Sequence, residues 1–268
     1  MHPTTPTSTL RKRQDARGYR ILAGSVLTVA AIGVTLIYNQ PPVRDPVTGC
    51  PQATAAPLQT VLVLDRTDPW SPAEAAIITS ALAGLTATIR PGDRLTLYAF
   101  EGNGTTPPVP VFDRCRPVEG KDVNPAFVTP AKADKAFATL FADPLAKTVD
   151  LLTRSSHAPQ TNLVPFLSTL AATLTYQPKA AETRITIFSD MCENTTERTF
   201  LPGKKPQFDP VSFTQYVHDA TGNRLAHLTL DIAVMPSPTT PPPVARKIKA
   251  AWTAALTADG VAFTWRTL

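Results

Sequence analysis

Four side chains far apart in the chain carry the chemistry most worth following: Asp65, Thr67, Thr161 and Asp190. Two carboxylates and two hydroxyls make a hard-oxygen donor set, suited to Mg²⁺, Mn²⁺ or Ca²⁺ rather than to zinc or copper. Cys192 lies just beyond Asp190, and His157 precedes Thr161, so a thiol–imidazole pair is a second grouping. An odd cysteine and a loop histidine are more often simply unpaired and solvated. His2, His218 and His227 are too scattered to add a metal cluster. The sequence has no Cys-x-x-Cys, no Gly-rich phosphate loop and no Gly-x-Ser-x-Gly. Plain structural roles stand beside the chemical ones: Asp65 can satisfy amides at a strand-to-helix turn, and Asp190 can hold a loop.

These residues function together only if secondary structure gathers them. Val61-Leu62-Val63-Leu64 followed by Asp65-Arg66-Thr67-Asp68 describes a strand buried on both faces that ends in oxygen ligands. Ser71-Pro72-Ala73-Glu74 then starts a helix, with Ser at the N-cap, Pro at N1 and Glu at N3. That helix is predicted over Pro72–Ile89 with Ile77, Ile78, Ala81, Leu82 and Leu85 on its packed stripe. Arg94–Phe100 reads as a second strand and Val109–Phe112 as a short edge strand, with Cys115–Pro130 irregular. Helical spacing resumes from Ala131, with Asp143-Pro144 breaking or restarting it, and again over Leu163, Phe166, Leu167, Leu170 and Leu174. Arg184–Ser189 is a core strand ending at Asp190, and a long polar excursion follows to Gln207. Asp209-Pro210 caps a short helix, and Leu228, Leu230, Ile232 and Val234 alternate as a strand. A helix bearing Val244, Ile248, Trp252 and Leu256 and a closing strand at Val261–Trp265 complete the chain.

Strands alternating with helices predict an α/β fold of three layers, a mostly parallel sheet with helices on both faces. In such a sheet the carboxyl ends of the strands share one edge, so Asp65, Thr67, Thr161 and Asp190 can converge there. Residues 59–268 are the expected domain, preceded by a Pro- and Ala-rich tether at 39–58.

The net formal charge of +5 sits unevenly. Arg11, Lys12, Arg13, Arg17 and Arg20 crowd residues 1–20 against the single Asp15, and the rest is nearly balanced, which argues against nucleic-acid binding by the folded part. Ile21–Tyr38 is uncharged and apolar, about 27 Å long as a helix, enough to span a hydrocarbon core. Cations before it predict a cytoplasmic N-terminus and a domain outside an inner (cell) membrane. A cleaved signal peptide is the competing reading. The length of the run and the absence of small residues at Tyr38-Asn39-Gln40-Pro41 favour an uncleaved signal-anchor. Three cysteines, Cys50, Cys115 and Cys192, fit an exported domain with one bridge and one thiol over. Several pairings are open, and Cys50–Cys115 is the expected one because it would pin the tether to the domain.

The order of these motifs resembles the von Willebrand factor A family. Asp65-Arg66-Thr67-Asp68-Pro69 stands for that family's strand-end Asp-x-Ser-x-Ser, Gln160-Thr161-Asn162 for its loop threonine, and Ile187-Phe188-Ser189-Asp190 for its second strand-end aspartate. The resemblance implies a metal-ion-dependent adhesion site on Asp65, Thr67, Thr161 and Asp190, where a divalent cation leaves a position open for a partner protein's carboxylate. Pro69 stands where the family has its second Ser and supplies no ligand. Thr67-Asp68-Pro69, Cys115-Arg116-Pro117 and Ser189-Asp190-Met191 are also similar to a group of membrane-anchored bacterial proteins with this domain type, which implies no activity. The expectation is therefore a membrane-tethered, non-enzymatic module that binds another protein at this edge. Two alternatives stay open. One is a structural subunit with an inert edge. The other resembles haloacid-dehalogenase-like phosphatases, with Asp65 as nucleophile and Ser189 as strand-end hydroxyl, although Thr67 stands where they carry a second Asp.

Overall fold

The computed structural model describes Leu22, residues 24–30 and residues 43–268 apart from positions 105, 126, 127, 155, 177, 178, 204, 236, 238 and 239. The basic tail at 1–20 and most of the expected anchor Ile21–Tyr38 lie outside the described residues; Leu22 and 24–30 are helical. No helix among the described residues is long and apolar enough to cross a membrane. The chain divides into two units, Met1–Val43 and Arg44–Leu268, and every element below belongs to the second.

Among the described residues, six strands form one sheet: β1 (Ala56–Asp65), β2 (Arg94–Phe100), β3 (Phe112–Cys115), β4 (Ala180–Ser189), β5 (Thr229–Val234) and β6 (Ala262–Thr267). Their order is β3-β2-β1-β4-β5-β6, parallel throughout except for the antiparallel β2–β3 pair. Six helices connect them: α1 (Pro72–Thr88), α2 (Pro130–Phe137), α3 (Asp143–Leu152), α4 (Leu163–Tyr176), α5 (Pro210–Thr221) and α6 (Pro242–Ala258). Because strand side chains alternate, successive β1 residues feed two cores. Val61 and Val63, with Ile185, Ile187 and Ile232, pack against Leu167, Val217 and Trp252 of α4, α5 and α6. Leu62 and Leu64, with Phe188, pack against Ile78 and Leu82 of α1 and against Phe141 and Leu145. Each fully buried side chain of this kind contributes roughly 1.5–3 kcal/mol of transfer free energy. The mixed α/β architecture with a mostly parallel, doubly covered sheet is the one expected.

Local details differ where pairing overrode pattern. The edge strand lies at Phe112–Cys115 rather than Val109–Phe112, because Phe112 and Cys115 pair with Leu97 and Arg94. Of the charged residues that mask its apolar alternation, Asp113 is neutralised, Arg94 gripping both its oxygens at 2.6 and 2.5 Å, and Arg114 donates to Leu140 O. On α1 Ile78 and Leu82 are buried and Ala81 and Leu85 pack beside them, as expected, whereas Ile77 is exposed. As expected, Asp143-Pro144 restarts the helical run, here without a gap. Ala138–Ala142 widens into a π turn, and Pro144 falls in the first turn of α3, where its missing N–H costs nothing.

The compact unit starts inside the expected tether, and β1 itself begins at Ala56. Arg44 bridges Pro51, and Cys115 N–H donates to Thr48 O at 2.8 Å. A Cys50–Cys115 disulfide, as expected, ties this segment to the end of β3 across a sequence separation of 65, and Cys192 is free and buried. Cross-linking a loop of that length is worth up to about 4 kcal/mol through the unfolded chain. Cys50→Ala/Cys115→Ala is therefore expected to lower Tm by roughly 10 °C. Thiol titration of the native wild type should find no reactive cysteine, and one after denaturation; an unchanged melting point would refute the stabilising role of the bridge.

Candidate functional site

β1 and β4 are neighbours, so Asp65 and Ser189 end side by side at the carboxyl edge. Ser189 Oγ donates to Asp65 Oδ2 at 2.6 Å. Beyond the strand the chain turns back, and Thr67 gives Asp65 Oδ1 both its backbone N–H (3.0 Å) and its hydroxyl (2.7 Å). Thr161 Oγ1 in turn donates to Thr67 Oγ1 at 3.1 Å. The hydroxyl protons thus run toward one buried carboxylate from three separate segments. Burial pushes the Asp65 carboxyl above its ordinary range, outweighing the bonds from Ser189 and Thr67 that pull it down.

Asp190 lines the same small cavity as Asp65, about 30 Å³ in volume, together with Thr67, Asp68, Glu74 and Ser189. Its Oδ1 accepts from Cys192 N–H at 2.9 Å, and its Oδ2 has only a long contact from Thr240 at 3.4 Å. Burial, and then the negative charge of Asp65, push its carboxyl up to about 7. Among the described residues, no Lys, Arg or His forms an ion pair with Asp65 or Asp190. A buried and a half-buried carboxylate therefore share one cavity without a balancing cation among the described residues, which makes ionising both costly.

The four expected residues do gather, with one distinction. Asp65, Thr67 and Asp190 face the cavity, while Thr161 touches it only through Thr67. Pro69 also lines the wall, adding no donor or acceptor side chain. No group of three or more His, Cys, Asp or Glu side chains among the described residues is placed to hold a metal ion. An ion here would thus rest on Asp65 and Asp190 with hydroxyls and water. Such a set suits a hard cation that keeps part of its hydration.

Two rigid devices hold Thr161 in place. Its backbone exchanges both hydrogen bonds with Asn194, each 2.9 Å. The chain just after it packs so closely on 102–104 that a Cβ on Gly104 would meet Asn162 O at 2.3 Å, so only glycine fits there. Glu193, next to Asn194 and completely buried, accepts from the N–H groups of Leu163 (2.8 Å) and Val164 (3.1 Å) at the start of α4 and from Tyr216 Oη (3.0 Å). Sequence reasoning missed Glu193, Asp68 and Glu74. Glu193 caps a helix thirty positions upstream, a pairing that no local pattern announces. Met191 adopts a left-handed backbone (φ 60°), held by Trp252 Nε1 donating to Met191 O at 2.8 Å. The Cys192–His157 grouping has no direct bond among the described residues. Burial and the neighbouring carboxylates push the Cys192 thiol far upward, away from thiolate reactivity.

No protein-family model matches the chain, and no curated protein matches it. Among solved structures, the crystal structure of the human COPII-coat protein Sec24c overlaps 81% of the chain at 9% identity with a TM-score of 0.42, and the chain spans 30% of that protein's length.

Glu193 sets a pH dependence. Burial raises its carboxyl to about 8, against the bonds from Val164, Tyr216 and Leu163, while the unfolded chain returns it to about 4.5. The folded state then holds a proton that the unfolded state gives up, so this group's contribution to stability falls as pH rises from about 4.5 to 8. Glu193→Gln should flatten that slope in urea melts. Glu193→Ala should cost about 1–3 kcal/mol by stranding two amides. An unaltered slope in Glu193→Gln would remove the assignment.

Proposed function

We propose that this chain is a membrane-tethered, extracytoplasmic protein-binding module of the von Willebrand factor A type. It docks its partner through the sheet edge that carries Asp65, Thr67, Thr161 and Asp190. The observation that carries the reading is the pair of carboxylates on one cavity, Asp65 buried and Asp190 half-buried, with no ion pair from a side-chain cation among the described residues. Mg²⁺, Mn²⁺ or Ca²⁺ would neutralise both. Asp65 and Asp190 would hold it, with the Thr67 hydroxyl beside them and Thr161 fixing Thr67. The ion supplies a positive centre able to accept an acidic side chain from a partner, as the family resemblance implies.

The cavity's size supports an ion over a substrate. About 30 Å³ accommodates an ion or a water or two, and is far below the few hundred Å³ of an organic-ligand pocket. The Cys50–Cys115 bridge supports an oxidising compartment. The cation-rich N-terminus and apolar Ile21–Tyr38 support a single-pass anchor in the inner (cell) membrane with the domain on its outer side.

Thermal-shift titration with each ion tests the centre. Saturating millimolar cation should raise the wild-type Tm by roughly 5 °C. Asp190→Asn removes one of two neighbouring negative charges, so it should melt higher than wild type without cation and should lose the cation response. No response in the wild type overturns the ion-bound reading. Crosslinking and pull-down from membranes should recover a specific protein with wild type and lose it with Asp65→Ala/Asp190→Ala. Equal recovery with both places the contact elsewhere.

A further inference from the structure

The sheet has two rims, and the chain treats them differently. β3 is only four residues long, carries Asp113 and Arg114, and its Cys115 N–H is already taken by Thr48 O in the disulfide-tied segment. β6 is six residues of Ala-Phe-Thr-Trp-Arg-Thr, without Pro. Leu268 N–H donates to Val234 O at 3.0 Å. By ladder alternation, Ala262, Thr264 and Arg266 turn their backbone groups toward β5, while Phe263, Trp265 and Thr267 turn theirs outward. No described residue bonds those outward N–H and C=O groups. Proteins usually guard such a rim with a charge, a proline or a bulge. The one charged residue of β6, Arg266, is instead drawn onto Asp231 of β5 at 3.0 Å, and Thr264 bonds the same carboxylate at 2.7 Å.

We propose that β6 pairs antiparallel with β6 of a second copy of this chain, across a twofold axis through Thr264. The segment Phe263-Thr264-Trp265 reads aromatic, threonine, aromatic in either direction, so it is complementary to itself. In this register Phe263 and the partner's Trp265 face each other as a mutually hydrogen-bonded pair. The outward groups satisfy one another, and the rings, already packed on the α6 side of the sheet, lie opposite. On the other face Thr264 meets the partner's Thr264, a favourable cross-strand pair, and Arg266 meets the partner's Ala262, so no like charges oppose. Twofold pairing consumes the open rim of both copies, and the short, charged β3 rim, capped at Cys115 by the disulfide-tied segment, disfavours growth into a filament. None of the residues at the carboxyl edge takes part, so failure of this pairing leaves the cation reading untouched.

The full-length chain in detergent, with Cys192→Ala to remove the free thiol, provides the test. Thr264→Cys places cysteines on the axis in a close, non-hydrogen-bonded pair about 4.5 Å apart at Cα, within disulfide range. Mild oxidation should trap it as a covalent dimer, while Thr257→Cys, on the exposed side of α6, should stay monomeric. Thr264→Lys sets like charges on the axis and should shift the sedimenting species from dimer to monomer with its far-UV circular dichroism unchanged. A wild type that sediments as a monomer at high micromolar concentration, or a Thr264→Cys chain that crosslinks no better than Thr257→Cys, overturns the proposal.

Discussion

The hydrogen-bonded carboxylate of Asp65 is the interaction on which the rest of the carboxyl edge depends. It stands where the best-buried strand meets solvent-side loops, and it is the common acceptor for Ser189 of β4 and Thr67 of the following turn. Through Thr67 it also fixes Thr161, which belongs to a loop nearly a hundred residues away. A neutral side chain here would leave three donors competing for less acceptor capacity. A charged one satisfies them but keeps a negative charge in a buried place. The edge is organised around that compromise.

The compromise explains the neighbourhood. Asp190 shares the cavity, so the charge of Asp65 adds to burial in raising the cost of ionising Asp190, as Asp68 does for Asp65. Glu193, a few residues on, is a third acid and a buried one, though its partners are the amides at the start of α4 and a tyrosine hydroxyl. One short segment after β4 therefore contributes an acid to the cavity, an acid to a helix start and a backbone bridge to Thr161. The left-handed turn at Met191, clamped by Trp252, lets the chain make all of these in a few residues. Charge concentrated without a counter-cation is tolerable in a scaffold of this rigidity, and it is the reason to look for an ion.

The same sheet is guarded at one rim and, among the described residues, open at the other. The disulfide-tied segment before β1 extends the protection of β3, whereas β6 shows its backbone outward beside a self-complementary run of side chains. The carboxyl edge and the β6 rim lie on different sides of the architecture, so a docking function and self-association could coexist without sharing residues.

Much of this was legible in the order of residues. The unbroken Val61–Leu64 run announced a doubly buried strand, Ser71-Pro72-Ala73-Glu74 announced a helix start whose capping box is present, and the spacing of strands and helices announced a mostly parallel α/β sheet. The strand-end positions of Asp65 and Asp190 allowed their convergence to be anticipated, and three cysteines narrowed the bridge to a few pairings. Other features were not legible because they depend on partners distant in the chain. β3 took its register from Leu97 and Arg94 and not from its own alternation. Glu193 looked like one more loop acid until α4 was laid against it, and Thr161 faces Thr67 rather than the cavity because of how two loops cross. Periodicity and capping act over a few residues and so are written in the sequence. Burial of charge, closure of a hydroxyl chain and exposure of a rim are properties of segments brought together from afar, and only the tertiary structure could decide them.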